Sequence, residues 1–251
     1  MNILACIKRV PATGGVIALT ADEQEIDTRF LGFTVSPHEE CAVEEALRQV
    51  EAHGGTVTVL ALGPEAAQDQ LRDTLAMGAG DVLLLETDGR EWDPQATAGA
   101  LAAAVQAEPA AFDVLLFGNE SADSGGYQVP VRVAHALGLP IVTGIKSLEI
   151  KGHTATAKRE MPGGWEVYEV ELPAVFTVKE GINLPRYPSI PGRLKAKKKT
   201  IGRIKPEFPG NRLEKLKFQL PPRVERQVEI LGQGPEAAPQ VVELLKKIGV
   251  A

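Results

Sequence analysis

The part of the chain best suited to chemistry is Phe117-Gly118-Asn119-Glu120-Ser121-Ala122-Asp123-Ser124-Gly125-Gly126-Tyr127-Gln128, between an apolar run and a segment of helical spacing that starts at Gln128. In an open parallel sheet, ligands bind outside the carboxyl ends of the strands, and a helix start offers unpaired backbone N–H groups to phosphate. Gly118, Gly125 and Gly126 let the backbone approach a ligand closely because they carry no Cβ. The same residue types also build ordinary turns, so two readings stay open here: a nucleotide or anion site, or a plain βα loop.

Other chemistries are poorly supplied. No Gly-x-x-x-x-Gly-Lys-Ser/Thr occurs, and Gly78-Ala79-Gly80 neither follows a strand nor has a third glycine, so neither a P-loop nor a dinucleotide fingerprint is present. Ser124-Gly125-Gly126 lacks the downstream acid of the ATP pyrophosphatase loop. The four histidines, His38, His53, His135 and His153, do not stand beside Ser, Cys or Glu in the spacing of a triad or a metal site. His53, just before Gly54-Gly55, reads as a helix-end residue facing the dipole. His38-Glu39-Glu40 reads as a solvated first helical turn whose start faces the expected ligand crevice. Cys6 and Cys41 are the only cysteines; without a Cys-x-x-Cys pair they read as small buried residues in a reducing compartment.

Residues 193–205 carry Arg193, Lys195, Lys197, Lys198, Lys199, Arg203 and Lys205 with no acid. Clustered cations neutralise phosphates, which would suit nucleic acid. The chain as a whole has a formal net charge of −6, and no aromatic residue is interleaved in the run. A solvated face or an acidic protein partner fits better, and nucleic acid is not expected.

These residues must be positioned by a scaffold, and its outline is legible. With 251 residues, 44% hydrophobic and 24% charged, the chain is neither a mini-protein nor disordered, and one α/β domain with an appendage is the economical expectation. Aromatics are only 5%, so the core must be aliphatic, as in sheets covered by helices on both faces. Strands are predicted at residues 2–7, 56–62, 81–85 and 113–117, and helices at 38–52, 65–77, 94–106 and 128–137, the first capped by Ser36. That alternation implies βαβ units and a parallel sheet. Between residues 141 and 178 the texture changes to short strands at 147–150, 155–160 and 166–170, an antiparallel insertion or edge. Residues 183–223 are rich in proline, and 237–248 has helical spacing, so the end of the chain reads as an extended arm finishing in a helix that needs another surface. The first residues lack the leader of a secreted chain, and no apolar run approaches the roughly 20 residues that span a bilayer, which predicts a cytoplasmic protein without membrane insertion.

Taken in order, Lys8-Arg9-Val10, Ser36-Pro37-x-Glu39-Glu40-x-Ala42-x-Glu44-Glu45-Ala46-Leu47, Leu71-Arg72-x-x-Leu75-Ala76-Met77-Gly78-Ala79, Ala122-Asp123 with Gln128, and Asn183-Leu184-Pro185-Arg186-Tyr187-x-x-Ile190-Pro191 ahead of Lys195-Ala196-Lys197-Lys198-Lys199 resemble the β subunit of electron-transfer flavoprotein over about residues 1–202. The stretch from Pro185 to Lys199 is the most specific part.

The resemblance implies an adenine-nucleotide-binding, Rossmann-like α/β domain at 1–202 and a C-terminal arm at 203–251 packed on an α subunit that holds most of the FAD. It implies AMP in the β subunit, contacted by Cys6, Ser36, Pro37, His38, Glu39, Leu62 and the loop Gly118, Asn119, Glu120, Ser121, Ala122, Asp123, Ser124, Gly125, Gly126, Tyr127, Gln128 and Val129. It further implies that a loop at about 183–199 binds acyl-CoA or related dehydrogenases, as in fatty acid β-oxidation, through Leu184, Arg186, Tyr187, Lys195, Lys198 and the apolar anchor Ile190. Glu160 matches an acid that influences the FAD domain, and a quinone-linked oxidoreductase would accept the electrons. The chain departs from the family pattern at Ser36, at Ser124-Gly125 and at Pro130. Flavin-bifurcating members put a second FAD in place of AMP and favour a second loop Asp, which is missing here. Two other classes compete: a stand-alone adenine-nucleotide-binding regulator of the universal stress type, which would have no use for residues 183–251, and a nucleotide-transforming enzyme, which the missing phosphate motifs disfavour.

Overall fold

The computed structural model describes residues 1–12, 14, 17–222 and 229–250. Thr13 lies outside the described residues, as do residues 223–228. Two compact units are present, Met1–Leu216 and Lys217–Ala251.

The first unit is built on strand β1 (Asn2–Ile7). Its side chains alternate between the faces of the sheet: Ile3, Ala5 and Ile7 join one buried cluster, Leu4 and Cys6 the other. A strand buried on both faces needs helices on both sides, and the chain supplies them. Helix α1 (Pro37–His53) and α2 (Gln68–Met77) cover the first face through Ala42, Val43, Ala46, Leu47, Leu71 and Leu75. Helix α3 (Pro94–Ala107) and α4 (Val129–Leu137) cover the second through Ala98, Leu101, Ala104, Val133 and Ala134. Asp93 caps α3 by accepting the Ala96 N–H at 2.7 Å.

Strands β4 (Thr56–Gly63), β5 (Asp81–Glu86) and β6 (Val114–Gly118) run parallel to β1. After β1 the chain steps outward to β4 and β5 on one side, then returns past them to place β6 on the other side of β1. That reversal opens a crevice outside the carboxyl ends of β1 and β6. A short antiparallel pair, β2 (Arg9–Pro11) and β3 (Phe33–Val35), leads from β1 to α1.

The region after α4 holds the expected antiparallel edge and, beyond it, one parallel strand that the sequence did not lead us to expect. Strand β7 (Ile141–Lys151) pairs antiparallel with β8 (Thr154–Met161), and β8 with β9 (Gly164–Glu171), which accounts for the three short strands. The chain then returns as β10 (Ala174–Val178), fully buried and parallel, inserted between β6 and β7. Its five residues are a continuous apolar run except Thr177, the pattern of a central parallel strand rather than an edge.

A second difference concerns the lysine-rich stretch, expected as a loop. It contains helix α5 (Ile190–Lys198), followed by β11 (Gly202–Ile204), which extends the sheet beside β5. Ser189 caps α5 by accepting the Gly192 N–H at 3.0 Å, and Ala196 is buried against the first-face core. The charge of the run hides a helix whose only buried side chain is a small one.

In the second unit, helix α6 (Ala238–Ile248) ends at Gly249 in the left-handed conformation. Its apolar residues Val241, Val242, Leu244, Leu245 and Ile248 are exposed. Among the described residues no helix is long and apolar enough to cross a membrane.

Candidate functional site

The carboxyl end of β1 delivers Lys8, that of β6 delivers the loop 118–128, and α1 starts between them. The close fit of these three pieces depends on Gly118, because a Cβ there would lie 2.5 Å from Glu39 Cγ and 3.0 Å from the Glu39 nitrogen. Ser36, expected as a side-chain cap for α1, makes no such bond; its Oγ instead accepts the Ala122 N–H at 3.0 Å and ties the loop to the helix start. Asn119 fixes the other end of the loop. Its N–H donates to the Val178 carbonyl, and its Oδ1 accepts from Thr177 Oγ1 at 2.7 Å, while that oxygen accepts the Gly144 N–H.

Within this frame the charges are paired. Lys8 Nζ lies 2.7 Å from Asp123 Oδ2. Burial alone would raise the Asp123 carboxyl, but the Lys8 charge and hydrogen bonds from Lys8, Ser121 and the Ser124 N–H hold it below its usual range. Glu39 is not the solvated residue expected of a first helical turn: it is buried, and its Oε2 accepts the Lys8 N–H at 2.7 Å. Desolvation pushes its carboxyl up to about 8, against the opposing pull of that N–H and the Lys8 charge, with Asp123 adding to the rise. At neutral pH Glu39 is therefore mostly protonated, and the crevice carries one negative charge fewer than its composition suggests.

Two features of the crevice are left unsatisfied by the protein. His38 Nδ1 is buried without a hydrogen-bond partner, 3.9 Å from Glu120 Oε1. The backbone N–H groups of Gly126, Tyr127 and Gln128, which lead into α4, have no acceptor among the described residues. Tyr127 has a φ of 56°, an uncommon conformation for a bulky residue, and Gly125 has 53°. Free, solvent-facing N–H groups ahead of a helix, with a buried unpartnered imidazole in the same crevice, fit a ligand that carries phosphate and further polar groups. Among the described residues, no cluster of His, Cys, Asp and Glu could hold a metal ion.

The other residues singled out from the sequence fall into place around this crevice or away from it. Cys6 is buried on β1, and burial pushes its thiol up, which disfavours the thiolate a nucleophile needs. Leu62 packs with the second-face core. Pro37 is in the first turn of α1, and Val129 opens α4. Lys8, Thr177 and Gly144 also belong to the site's framework; Lys8 stands in the motif Lys8-Arg9-Val10, which carried no site role, whereas Thr177 and Gly144 have no motif of their own.

A second constellation lies along α1 and α2. Arg186 bonds both carboxylate oxygens of Glu44 and both of Glu51, and its own N–H donates to Glu44. Nearby, Leu184, Tyr187, Ile190 and Leu194 are exposed, Tyr187 at 96% and Ile190 at 78%. Lys195 and Lys198 lie on α5, with no carboxylate in salt-bridge range among the described residues, whereas Lys199 reaches Asp81 at 3.3 Å. Glu160 stands apart on β8, paired with Lys146 at 2.8 Å. A separate groove of about 940 Å³ lies between α3, α4 and residues 204–212. Seven of its twenty lining residues are alanine, and Arg132 at its edge donates to Gln128 Oε1.

Known proteins give this arrangement a family. A model of the electron transfer flavoprotein domain matches residues 26–208. The chain is 34% identical over 255 residues to the electron transfer flavoprotein subunit beta of Bacillus subtilis (strain 168), with 98% of each chain covered. It is 36% identical over 247 residues to the subunit of the same name from Syntrophomonas wolfei, covering 98% of this chain and 96% of the relative. The corresponding Mycobacterium tuberculosis (H37Rv) subunit is 38% identical over 205 residues, 80% of this chain and 77% of the relative. By the family match and by relatives aligned over nearly its full length, the chain belongs to the electron transfer flavoprotein family and is one of its beta subunits.

Proposed function

We propose that this chain pairs with an α subunit, binds AMP in the crevice at the ends of β1 and β6, and serves as the carrier component that takes electrons from acyl-CoA or related dehydrogenases towards a quinone-linked acceptor. FAD, held mainly by the α subunit, supplies the redox chemistry when bound, and this chain makes and breaks no bond of its own. Its work is positioning. The observation that carries the reading is the run of free, exposed N–H groups at Gly126, Tyr127 and Gln128, together with the buried, unpartnered His38 Nδ1, at the switch point of the sheet.

In this reading the loop 118–129 and the start of α1 at Ser36–Glu39 hold the nucleotide. Lys8 neutralises Asp123, and protonated Glu39 spares the phosphate a second repulsion. Tyr187 and Ile190 present apolar surface to the dehydrogenase, and the cations of α5 attract an acidic partner at long range. The exposed apolar residues of α6 suit burial on the α subunit; of the arm expected at 203–251, the second unit, Lys217–Ala251, is the part given this role, since β11 joins this chain's own sheet.

The test is to co-express the chain with its α subunit, purify the yellow complex, and identify released nucleotides by mass spectrometry. One AMP and one FAD per complex are expected. Two FAD would replace the AMP reading with the bifurcating one, and a colourless chain indifferent to every α subunit would remove the carrier role.

A further inference from the structure

The exposed residues Tyr187 and Ile190 belong to a short arch, 187–191, whose two feet are fixed in different ways. One foot is Arg186. It is clamped on α1 by Glu44, whose side chain is only 6% exposed, and by Glu51, with bonds from 2.6 to 3.1 Å. Asn183 reinforces this foot by donating to the Cys41 carbonyl and to Glu45 Oε2, both at 3.0 Å. The other foot is Gly192, set so tightly against α2 that a Cβ would stand 2.3 Å from the Ala76 carbonyl oxygen. Arg72 locks that side by donating to the Ala196 carbonyl at 2.8 Å.

Between the feet, Pro188 and Pro191 restrict the backbone further. An arch held at both ends and stiffened inside has lost most of its conformers before any partner arrives. A surface ordered in advance binds without the entropy cost that a loose loop meets on docking. A bidentate guanidinium on a buried carboxylate is a costly arrangement for a mere surface loop, since removing one partner leaves a buried charge unpaired.

We propose that Arg186 is a positioning residue, which pins the arch on α1 so that Tyr187 and Ile190 meet the electron-donating dehydrogenase in one conformation. The inference rests on the docking role given to Ile190 above. Arg186 touches neither flavin nor substrate in this account; it acts through the arch. Lysine at this position keeps the charge beside Glu44 but loses the fork that spans Glu44 and Glu51. Alanine at the exposed Glu51 removes half the clamp without uncovering a buried group.

The experiment uses the co-purified two-subunit complex with its FAD, and reads the rate of flavin reduction against the concentration of a purified, substrate-reduced acyl-CoA dehydrogenase. Arg186→Lys should raise KM about tenfold and Glu51→Ala a few-fold, with kcat kept within about twofold. Melting temperature and flavin absorbance are followed in parallel, because a purely structural role would move those and leave KM alone. Ile190→Ala is run alongside. If Ile190→Ala raises KM while Arg186→Lys and Glu51→Ala leave it unchanged, the positioning role is overturned and the docking surface stands. If Ile190→Ala also leaves KM unchanged, both are overturned.

Discussion

Replacing Glu39 with glutamine should make the complex less sensitive to rising pH. The buried carboxyl titrates near 8, against 4.5 for an unperturbed glutamate, because burial penalises its charged form. The folded state therefore binds the proton more tightly than the unfolded chain between those values. The associated stability is fully present below about pH 4.5 and is lost as pH rises through 8. With about 1.36 kcal/mol per pKa unit, the loss between pH 5 and pH 8 amounts to roughly 3 to 4 kcal/mol. Glutamine is nearly isosteric, stays neutral, and its carbonyl oxygen can still accept the Lys8 N–H that now reaches Glu39 Oε2 at 2.7 Å. Thermal melts of wild-type and Glu39→Gln complexes at one protein concentration, taken at half-unit pH steps, give the difference in stability directly. Other titrating groups cancel in that difference. It should grow in favour of the glutamine variant as pH rises, by roughly 6 to 16 °C in melting temperature over the window. A difference that is flat with pH, or that grows in the opposite direction, would refute the reasoning that Glu39 is held protonated by its burial.

Three further outcomes follow from the geometry. Gly118→Ala should drive Glu39 and the start of α1 away from the loop, costing about 1–3 kcal/mol and lowering the nucleotide content of the purified complex, as read by mass spectrometry of the released nucleotide. Gly192→Ala should lift α5 from α2, because its Cβ meets a backbone carbonyl at 2.3 Å; hydrogen exchange should speed up across residues 190–198 while the strands of the sheet stay protected. Thr177→Val should strip the Gly144 N–H and Asn119 Oδ1 of their shared partner in the buried sheet, at about 1–3 kcal/mol in denaturant unfolding, and an unchanged midpoint would show that those groups find another partner.

Much of the scaffold could be read from the sequence because its signals are local. Asp93-Pro94 opens α3 where the cap and proline predict it, and the apolar run at residues 2–7 is strand β1 to the residue. The helix at 190–198 was hidden because its lysines carry no apolar periodicity and its one buried contact, Ala196, is small. Strand β10 was hidden for a different reason: five buried residues look alike whether they end a hairpin or enter the middle of a sheet, and only the pairing with β6 and β7 distinguishes them. The loop 118–129 was legible as a place where a ligand could sit. The state of Glu39 was not, since a carboxylate beside Glu40 at the start of a helix reads as solvated until the strand, the loop and Gly118 are seen to close over it.

Periodicity, caps and turn residues are properties of neighbours along the chain, so the sequence by itself determined the alternation of strands and helices, the parallel sheet, and the glycine-bearing loop at the end of a strand. Burial and partnership are properties of neighbours in space. Tertiary structure alone decided that Lys8 neutralises Asp123, that Ser36 ties a loop instead of capping a helix, and that Glu44 and Glu51 reach across more than a hundred residues of chain to hold Arg186.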